Sequence, residues 1–174
     1  MGRDKALLPF RGTTLVEHVA QTVREATGSV ALIGDPDRIG HLGLPVFADQ
    51  VSSCGPASGI YTALELTQTD WNLIVACDMP AVSVEILRQL LLQAETTTER
   101  NCIAATGRSG QPEPLCAVYH RRCLPALARA IENGQVRMRD LVGEIGASLM
   151  PVPSWALANV NTPGEWADFE DVPR

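Results

Sequence analysis

Apolar blocks alternate with polar loops along this chain, and their spacing changes between strand-like and helical. In the clearest strand-like block, residues 73–77, five apolar residues follow one another without alternation, as in a strand buried on both faces. Asp78 follows at once, and Pro80 cannot continue a β-ladder. Because ligands bind where strands of open α/β sheets end, Asp78 is a candidate Mg²⁺ ligand. The alternative is that Asp78 caps the next helix or turn.

The first half of the chain predicts helices and strands in alternation. A charged loop at 1–12 precedes a helix that Thr13 or Thr14 caps and that ends at Gly28. The apolar stripe of this helix comprises Leu15, Val16, Val19, Ala20 and Val23. Further predicted elements are strands at 29–33 and 43–49, a turn at 34–37, a loop at 49–59 that leads into a helix, and a helix from Ser83 to about Ala94. This order is typical of a mostly parallel sheet.

The second half predicts a change in the direction of pairing. Strand-like runs at 102–105 and 114–119 flank a short turn, which indicates a hairpin and an antiparallel portion of the sheet. A helix at 124–133 and an edge strand at 149–152, blunted by prolines, follow. No repeat or linker is visible, so residues 1–174 are expected to form one domain.

Composition narrows the function classes. The chain has 174 residues, of which 45% are apolar and 20% charged, and its net charge is −6. Without a cluster of Lys and Arg, nucleic acid and anionic membrane surfaces are not expected partners. No apolar run approaches the roughly 20 residues of a membrane span.

The five cysteines include no C-x-x-C pair, which argues against disulfides or zinc and favours a cytoplasmic location. The three histidines are expected to be structural or solvated. Trp71, Trp155 and Trp166 are expected to lie in the core or at its rim rather than to stack on ligands.

Several motifs in register carry a resemblance to a known family. They are residues 1–5 (MGRDK), Asp49 with 55–60 (GPASGI), 77–80 (CDMP), 111–119 (QPEPLCAVY) and 159–163 (NVNTP). The sequence resembles the molybdenum cofactor guanylyltransferase family of α/β nucleotidyltransferases. The resemblance implies a single Rossmann-like domain with helices on both faces of the sheet.

The resemblance also implies an activity, which is transfer of GMP from GTP to molybdopterin or Mo-molybdopterin with release of pyrophosphate. Asp78 takes the position of the family's Mg²⁺ ligand, and Lys5 would place a point charge on the triphosphate. Asp49 matches a nucleotide-binding position. Asn159 and Asn161 would donate hydrogen bonds to the pterin and accept them from it. Cofactor biosynthesis proteins, apo-molybdoenzymes and their chaperones are possible partners.

Other readings stay open at this point. The alternative for Lys5 is a solvated surface charge, and the alternative for Asp49 is a turn residue. For residues 159–163 the alternative is the start of a helix, with Thr162 as its cap and Pro163 in its first turn. A molybdopterin cytidylyltransferase or a sugar-phosphate nucleotidyltransferase is an alternative within the same chemistry. The cytidylyltransferases of this group typically have Asp-Gln-Pro where this chain has Asp78-Met79-Pro80. This difference favours GTP over CTP as the nucleotide substrate. A non-catalytic domain that binds a pterin or a partner enzyme is the alternative from another class.

The N-terminal motif leads to one more expectation. Members of the family open with a buried strand and a glycine-rich loop, and the run that contains Lys5 follows that loop. This chain starts at the Met of that run, so roughly 15 residues of strand and loop are expected to be missing. We expect the chain as given to bind GTP weakly, to be less stable than an extended chain, and to show little or no transfer.

Overall fold

The computed structural model of the chain describes residues 5–51, 55–134 and 137–160. Its strands are β1 (Pro9–Phe10), β2 (Thr13–Thr14), β3 (Leu32–Ile33), β4 (Val46–Phe47), β5 (Trp71–Val75), β6 (Cys102–Thr106), β7 (Pro112–His120) and β8 (Ser148–Pro151). Its helices are α1 (Leu15–Thr27), α2 (Pro36–Ile39), α3 (Pro56–Leu66), α4 (Val84–Glu95), α5 (Leu124–Glu132) and α6 (Met138–Glu144). Short 3₁₀ turns cover Lys5–Leu7, Gly40–Leu42, Arg121–Cys123 and Ser154–Leu157.

The strands form one main sheet and two short pairs. In the main sheet the order is β5-β7-β6-β8. β7 runs antiparallel to both β5 and β6, while β6 and β8 are parallel. Consequently β5, β6 and β8 all point the same way, and only β7 opposes them. β3 and β4 make a separate parallel pair. The α/β class and the antiparallel hairpin that the sequence predicts are confirmed.

Helices cover both faces of the main sheet, as expected. On one face α3, α5 and α6 pack against side chains such as Ala104, Ala117 and Tyr119. On the other, α4 packs against Ile103, Ala105 and Val118, with part of α1 beside it. β6 lies between these layers, and all five of its side chains are buried. Within the described residues, no helix is both long enough and apolar enough to cross a membrane.

Several helix ends lie where the sequence places them. Thr14 caps α1 in a reciprocal capping box with Glu17, and Gly28 ends the helix with φ of 82°. The Ser83 side chain accepts a hydrogen bond from the Ile86 N–H at the start of α4. These ends are correct because a cap depends on residues only three positions apart.

The N-terminal part differs from its prediction in detail. The expected loop at 1–12 contains, in its described portion, a 3₁₀ turn and the first strand of a hairpin in which Phe10 pairs with Thr13. Arg11 and Gly12 both have positive φ, as a two-residue type I′ turn requires. The turn at 34–37 becomes the start of α2, where Asp35 accepts a hydrogen bond from the Asp37 N–H. The strands expected at 29–33 and 43–49 are only two residues long each.

The strand before Asp78 also differs. β5 begins at Trp71 and ends at Val75, two residues earlier than the apolar run 73–77 suggests. All five side chains are half-buried, so the expectation of complete burial on both faces is wrong. The reason is position: within the described residues β5 pairs only with β7 and forms an edge of the main sheet.

Candidate active site

Two carboxylates, those of Asp78 and Glu113, lie at the ends of strands at one edge of the main sheet. Because β5, β6 and β8 are co-directional, their carboxyl ends meet the start of β7 at this edge. Asp78 follows β5, and Glu113 is the second residue of β7. Loops at the carboxyl ends of strands are the usual location of ligand sites in α/β proteins.

Asp78 lies in a tight turn that several backbone hydrogen bonds fix. The Ala76 N–H donates to the Leu115 carbonyl at 2.8 Å, which extends the β5–β7 pairing toward the turn. The Val160 N–H donates to the Asp78 carbonyl at 2.9 Å and ties the chain after β8 to the same turn. Met79 is only 1% exposed and anchors the turn in the core. The Asp78 side chain is thereby held half-buried at the edge of the sheet.

The electrostatic surroundings of the Asp78 carboxyl favour the binding of a positively charged group. Burial raises the pKa of its carboxyl above the ordinary value. A hydrogen bond from its own backbone N–H and the positive charge of Lys5 act in the opposite direction. The charge of Lys5, at the start of the first 3₁₀ turn, thus acts on the Asp78 carboxyl, and the roles of both residues in binding the triphosphate and the metal stay predictions.

Glu113 is a site residue that the sequence analysis missed. Ala104 pairs with Ala117, whereas its neighbour Ala105 pairs with Glu113, so residues 114–116 bulge out of the β6–β7 ladder. The Leu115 N–H, within the bulge, donates to the Glu113 Oε1 at 3.4 Å. Burial raises the pKa of Glu113, and the nearby negative charge of Asp78 adds to that effect. The Leu115 N–H and the positive charge of Arg139 on α6 oppose it.

The two prolines that flank Glu113 in the sequence could have indicated its position beside a bulge. A prolyl residue on each side, Pro112 and Pro114, is unusual inside a strand and marks a bulge or an edge. A carboxylate between two such residues is therefore a candidate for re-aiming by a bulge.

The structure places Asp49 against the start of α3. It follows β4, in the separate two-stranded sheet, and its side chain is exposed. Its Oδ1 lies 3.5 Å from the Ser58 hydroxyl in the first turn of α3. A Cβ added at Gly59 would lie 3.6 Å from the same Oδ1, which shows how closely α3 approaches. Asp49 therefore borders the start of α3, and its nucleotide-binding role stays a prediction.

The asparagine pair is only partly within the described residues. Asn159 is exposed and directly precedes Val160, whose N–H binds the Asp78 turn. Asn161 lies outside the described residues, as do Thr162 and Pro163. The backbone contact places Asn159 beside the carboxylate site, although its role as a pterin ligand stays a prediction.

The donor set suits a hard divalent cation that a substrate shares. Among the described residues no three His, Cys, Asp or Glu side chains form a protein-only metal cage. Mg²⁺ usually takes one or two carboxylates and completes its shell with water and substrate phosphates. Asp78 and Glu113 provide two such carboxylates at one place. A cavity of about 470 Å³ lies at the opposite end of β6. Its lining includes Arg122, Arg129 and a single carboxylate, Glu144, so it does not offer a pair of carboxylates.

Comparisons with known proteins show which family and which solved structures this chain is similar to. Residues 1–148 match the family model described as the MobA-like NTP transferase domain. A protein of Flavobacterium johnsoniae, named probable molybdenum cofactor guanylyltransferase, is 30% identical over 97% of this chain and 89% of its own length. The structure of molybdopterin-guanine dinucleotide biosynthesis protein A from Archaeoglobus fulgidus superposes with a TM-score of 0.79 at 22% identity, over 98% of this chain and 90% of that one. The structure of Rv0371c from Mycobacterium tuberculosis in complex with manganese gives a TM-score of 0.71 at 21% identity, over 97% of this chain and 91% of that one.

Proposed function

The chain belongs to the family of MobA-like NTP transferase domains, and we propose that it transfers GMP from GTP to molybdopterin or Mo-molybdopterin. In this reaction a phosphate oxygen of the acceptor bonds to the α-phosphorus of GTP, and the bond to the β-phosphate breaks to release pyrophosphate. The observation that carries the proposal is the convergence of Asp78, Glu113 and Lys5 at the carboxyl edge of the sheet. The name of the Flavobacterium johnsoniae relative supports the choice of substrates.

The two carboxylates fit a divalent ion, for which we propose Mg²⁺. When bound, such an ion supplies charge neutralisation at the phosphate oxygens. Asp78 and Glu113 would hold it, since each is half-buried and Asp78 lies close enough to raise the pKa of Glu113. Bringing a cation between two carboxylates removes that unfavourable interaction and offsets the cost of burying them.

The remaining residues position the reactants. Lys5 would neutralise the triphosphate, for which a compact ammonium group is well suited. Asp49 would accept hydrogen bonds from the ribose hydroxyls or the guanine amino group. Asn159 and Asn161 would donate to and accept from the acceptor. Catalysis of phosphoryl transfer depends largely on such positioning and charge neutralisation.

The structure removes one of the two arguments for a preference for guanine, the one that depends on Met79. Met79, whose place in the Asp78-Met79-Pro80 motif favours guanine over cytosine, is almost completely buried in the core. Its side chain therefore has no free surface for a nucleotide base. The preference for GTP now depends on the resemblance and on the relatives' names.

The cell compartment and the protein partners of the chain are proposed here as well. A cytoplasmic location stays a prediction, with which the buried, unbridged thiols of Cys102, Cys116 and Cys123 agree. Binding to cofactor biosynthesis proteins or to apo-molybdoenzymes and their chaperones is likewise a prediction.

Calorimetric titration with GTP, CTP and ATP, each with and without Mg²⁺, tests the proposal. We expect GTP to bind most tightly and Mg²⁺ to strengthen its binding, because a wrong base leaves buried polar groups unpaired. D78N should remove most of the Mg²⁺ effect, whereas E85Q, an exposed carboxylate on α4, should retain it. Equal binding of GTP and CTP would contradict the guanine preference. A chain that binds a pterin but no nucleotide would support the non-catalytic alternative.

A further inference from the structure

A cleft lies further along the sheet edge that carries Asp78. It has a volume of about 430 Å³ and is lined by Arg108, Val152, Pro153, Ser154 and Trp155. Arg108 follows β6, and the other four residues follow β8. We call this feature the Trp155 cleft. Neither its residues nor its position enters the metal and nucleotide roles assigned above.

The two walls of the Trp155 cleft are joined to each other. The Val152 N–H donates to the Thr106 carbonyl at 2.9 Å, and the Arg108 N–H donates to the Ser154 hydroxyl at 3.0 Å. A Cβ added at Gly107 would lie 3.1 Å from the Ser154 Oγ and 3.6 Å from the Ser154 Cα, so the two loops are in close contact. The cleft is therefore a formed part of the fold.

Trp155 is exposed although its turn is firmly anchored. Its side chain is 58% exposed, while the next residue, Ala156, is completely buried in the core. The Ala156 N–H donates to the Pro153 carbonyl at 2.9 Å, and the Ala158 N–H donates to the Trp155 carbonyl at 3.3 Å. A large aromatic ring is thus presented to solvent by a fixed turn, an arrangement suited to stacking on a flat ligand.

The position of the Trp155 cleft matches the geometry of the proposed reaction. β5 and β8 are separated by β7 and β6, so three strand spacings, about 14 Å, lie between their ends. The phosphate of the acceptor reacts near Asp78, and its ring system must extend away from that point. The carboxyl edge of β7, β6 and β8 leads from Asp78 to Trp155.

We propose that the Trp155 cleft binds the ring system of the acceptor substrate, a pterin-type heterocycle. Trp155 stacks on the flat ring, and the Arg108 guanidinium donates hydrogen bonds to its oxygen and nitrogen acceptors. One cation among mostly apolar lining residues suits a polar aromatic ring better than an isolated phosphate, which takes several donors. This inference extends the proposed function by assigning the acceptor subsite.

Fluorescence anisotropy of 6-carboxypterin, a fluorescent probe with the same flat ring, tests the inference on the whole chain. W155A should weaken pterin binding at least about fivefold, since stacking of one ring contributes roughly that factor or more. W155F should retain most of the affinity, and R108A should lose part of it. L92A, which truncates an exposed apolar side chain on α4, should bind as the wild type does.

Parallel titration with Mg²⁺ and GTP separates this inference from the proposed function. GTP affinity should be the same in wild type, W155A and L92A. Unchanged pterin affinity in W155A, or no pterin binding by the wild type, overturns the inference. So does an equal loss of GTP affinity in W155A, which would place the base in the cleft, or a wild-type dimer that W155A dissociates. Pterin binding that depends on Trp155 without any GTP binding would contradict the proposed function but keep the pterin site.

Discussion

At the residue scale, Asp78 and Glu113 are held where neither carboxylate is well solvated. The pKa of each is raised mainly by burial, and for Glu113 the charge of Asp78 contributes as well. The opposing effects of Lys5 and Arg139 are too small to reverse the direction. Titratable groups in such unfavourable surroundings are typical of functional sites, where a bound ligand provides the compensating interaction.

The raised pKa of Glu113 predicts a trade-off between stability and binding. A carboxyl whose pKa is higher in the folded state than in the unfolded state stabilises the fold at low pH, and this contribution disappears as pH rises through the folded-state pKa. E113Q removes the charge, so it should raise the melting temperature at about pH 7 and change it little at about pH 4. The same substitution should weaken Mg²⁺-dependent GTP binding.

Differential scanning fluorimetry at both pH values, together with GTP titration, checks this prediction. E85Q serves as the control because Glu85 is exposed on α4. A lower melting temperature of E113Q at neutral pH would show that Glu113 is a structural residue. Unchanged Mg²⁺-dependent binding would remove it from the metal site.

Sequence reasoning found one carboxylate of this pair and not the other for a physical reason. Asp78 follows an apolar run directly, so its location at a strand end depends on adjacent residues. Glu113 reaches the site through a bulge that forms only when β7 pairs with β6, whose residues come earlier in the chain. The burial of Met79 depends in the same way on packing against distant residues of the core.

At the scale of elements, β3 and β5 each have one edge without a partner among residues 5–51, 55–134 and 137–160. β3 pairs only with β4, and β5 only with β7. α3 packs against both β3 and β5, so one helix spans the two sheets. The two-residue length of β3 and the half-exposure of β5 are what an edge strand without a second neighbour shows. Backbone groups on such edges are left to solvent or to another strand.

An added strand is therefore expected to stabilise the molecule. If an apolar strand pairs with β3 and β5, a chain extended at its N-terminus by an apolar strand-forming segment should have a higher melting temperature and tighter GTP binding than the chain without it. Hydrogen exchange of the β5 amides that do not face β7 should also slow. An extension of equal length with a scrambled, polar sequence is the control. Equal melting temperature, exchange and affinity in the two extended chains would contradict the expectation.

The elements that the sequence predicts well are those with local signals. Caps such as Thr14 and Ser83, and the glycine that ends α1, depend on neighbours within one helical turn. Strand limits depend on partners elsewhere in the chain, which is why the apolar run at 73–77 does not coincide with β5. The Trp155 cleft arises where loops after two parallel strands meet, and no local pattern indicates such a meeting.

At the scale of the whole molecule, the net charge of −6 opposes the approach of polyanionic substrates. Local cations at the carboxyl edge of the sheet therefore matter: Lys5 acts on Asp78, Arg139 acts on Glu113, and Arg108 borders the Trp155 cleft. The edge thus presents a nucleotide-transfer site at one end and a ring-binding cleft at the other.

Transfer of labelled GMP tests the central claim most directly. The full-length protein, as its gene encodes it, is incubated with Mg²⁺, molybdopterin and GTP labelled at the α-phosphate. We predict that the label enters a pterin dinucleotide together with an equal amount of pyrophosphate, in the wild type and in E85Q. In D78N the label should stay in GTP while the melting temperature at neutral pH does not fall, because the substitution removes a half-buried charge that burial disfavours. Wild-type protein that leaves the label in GTP, or D78N that transfers it normally, would contradict the account.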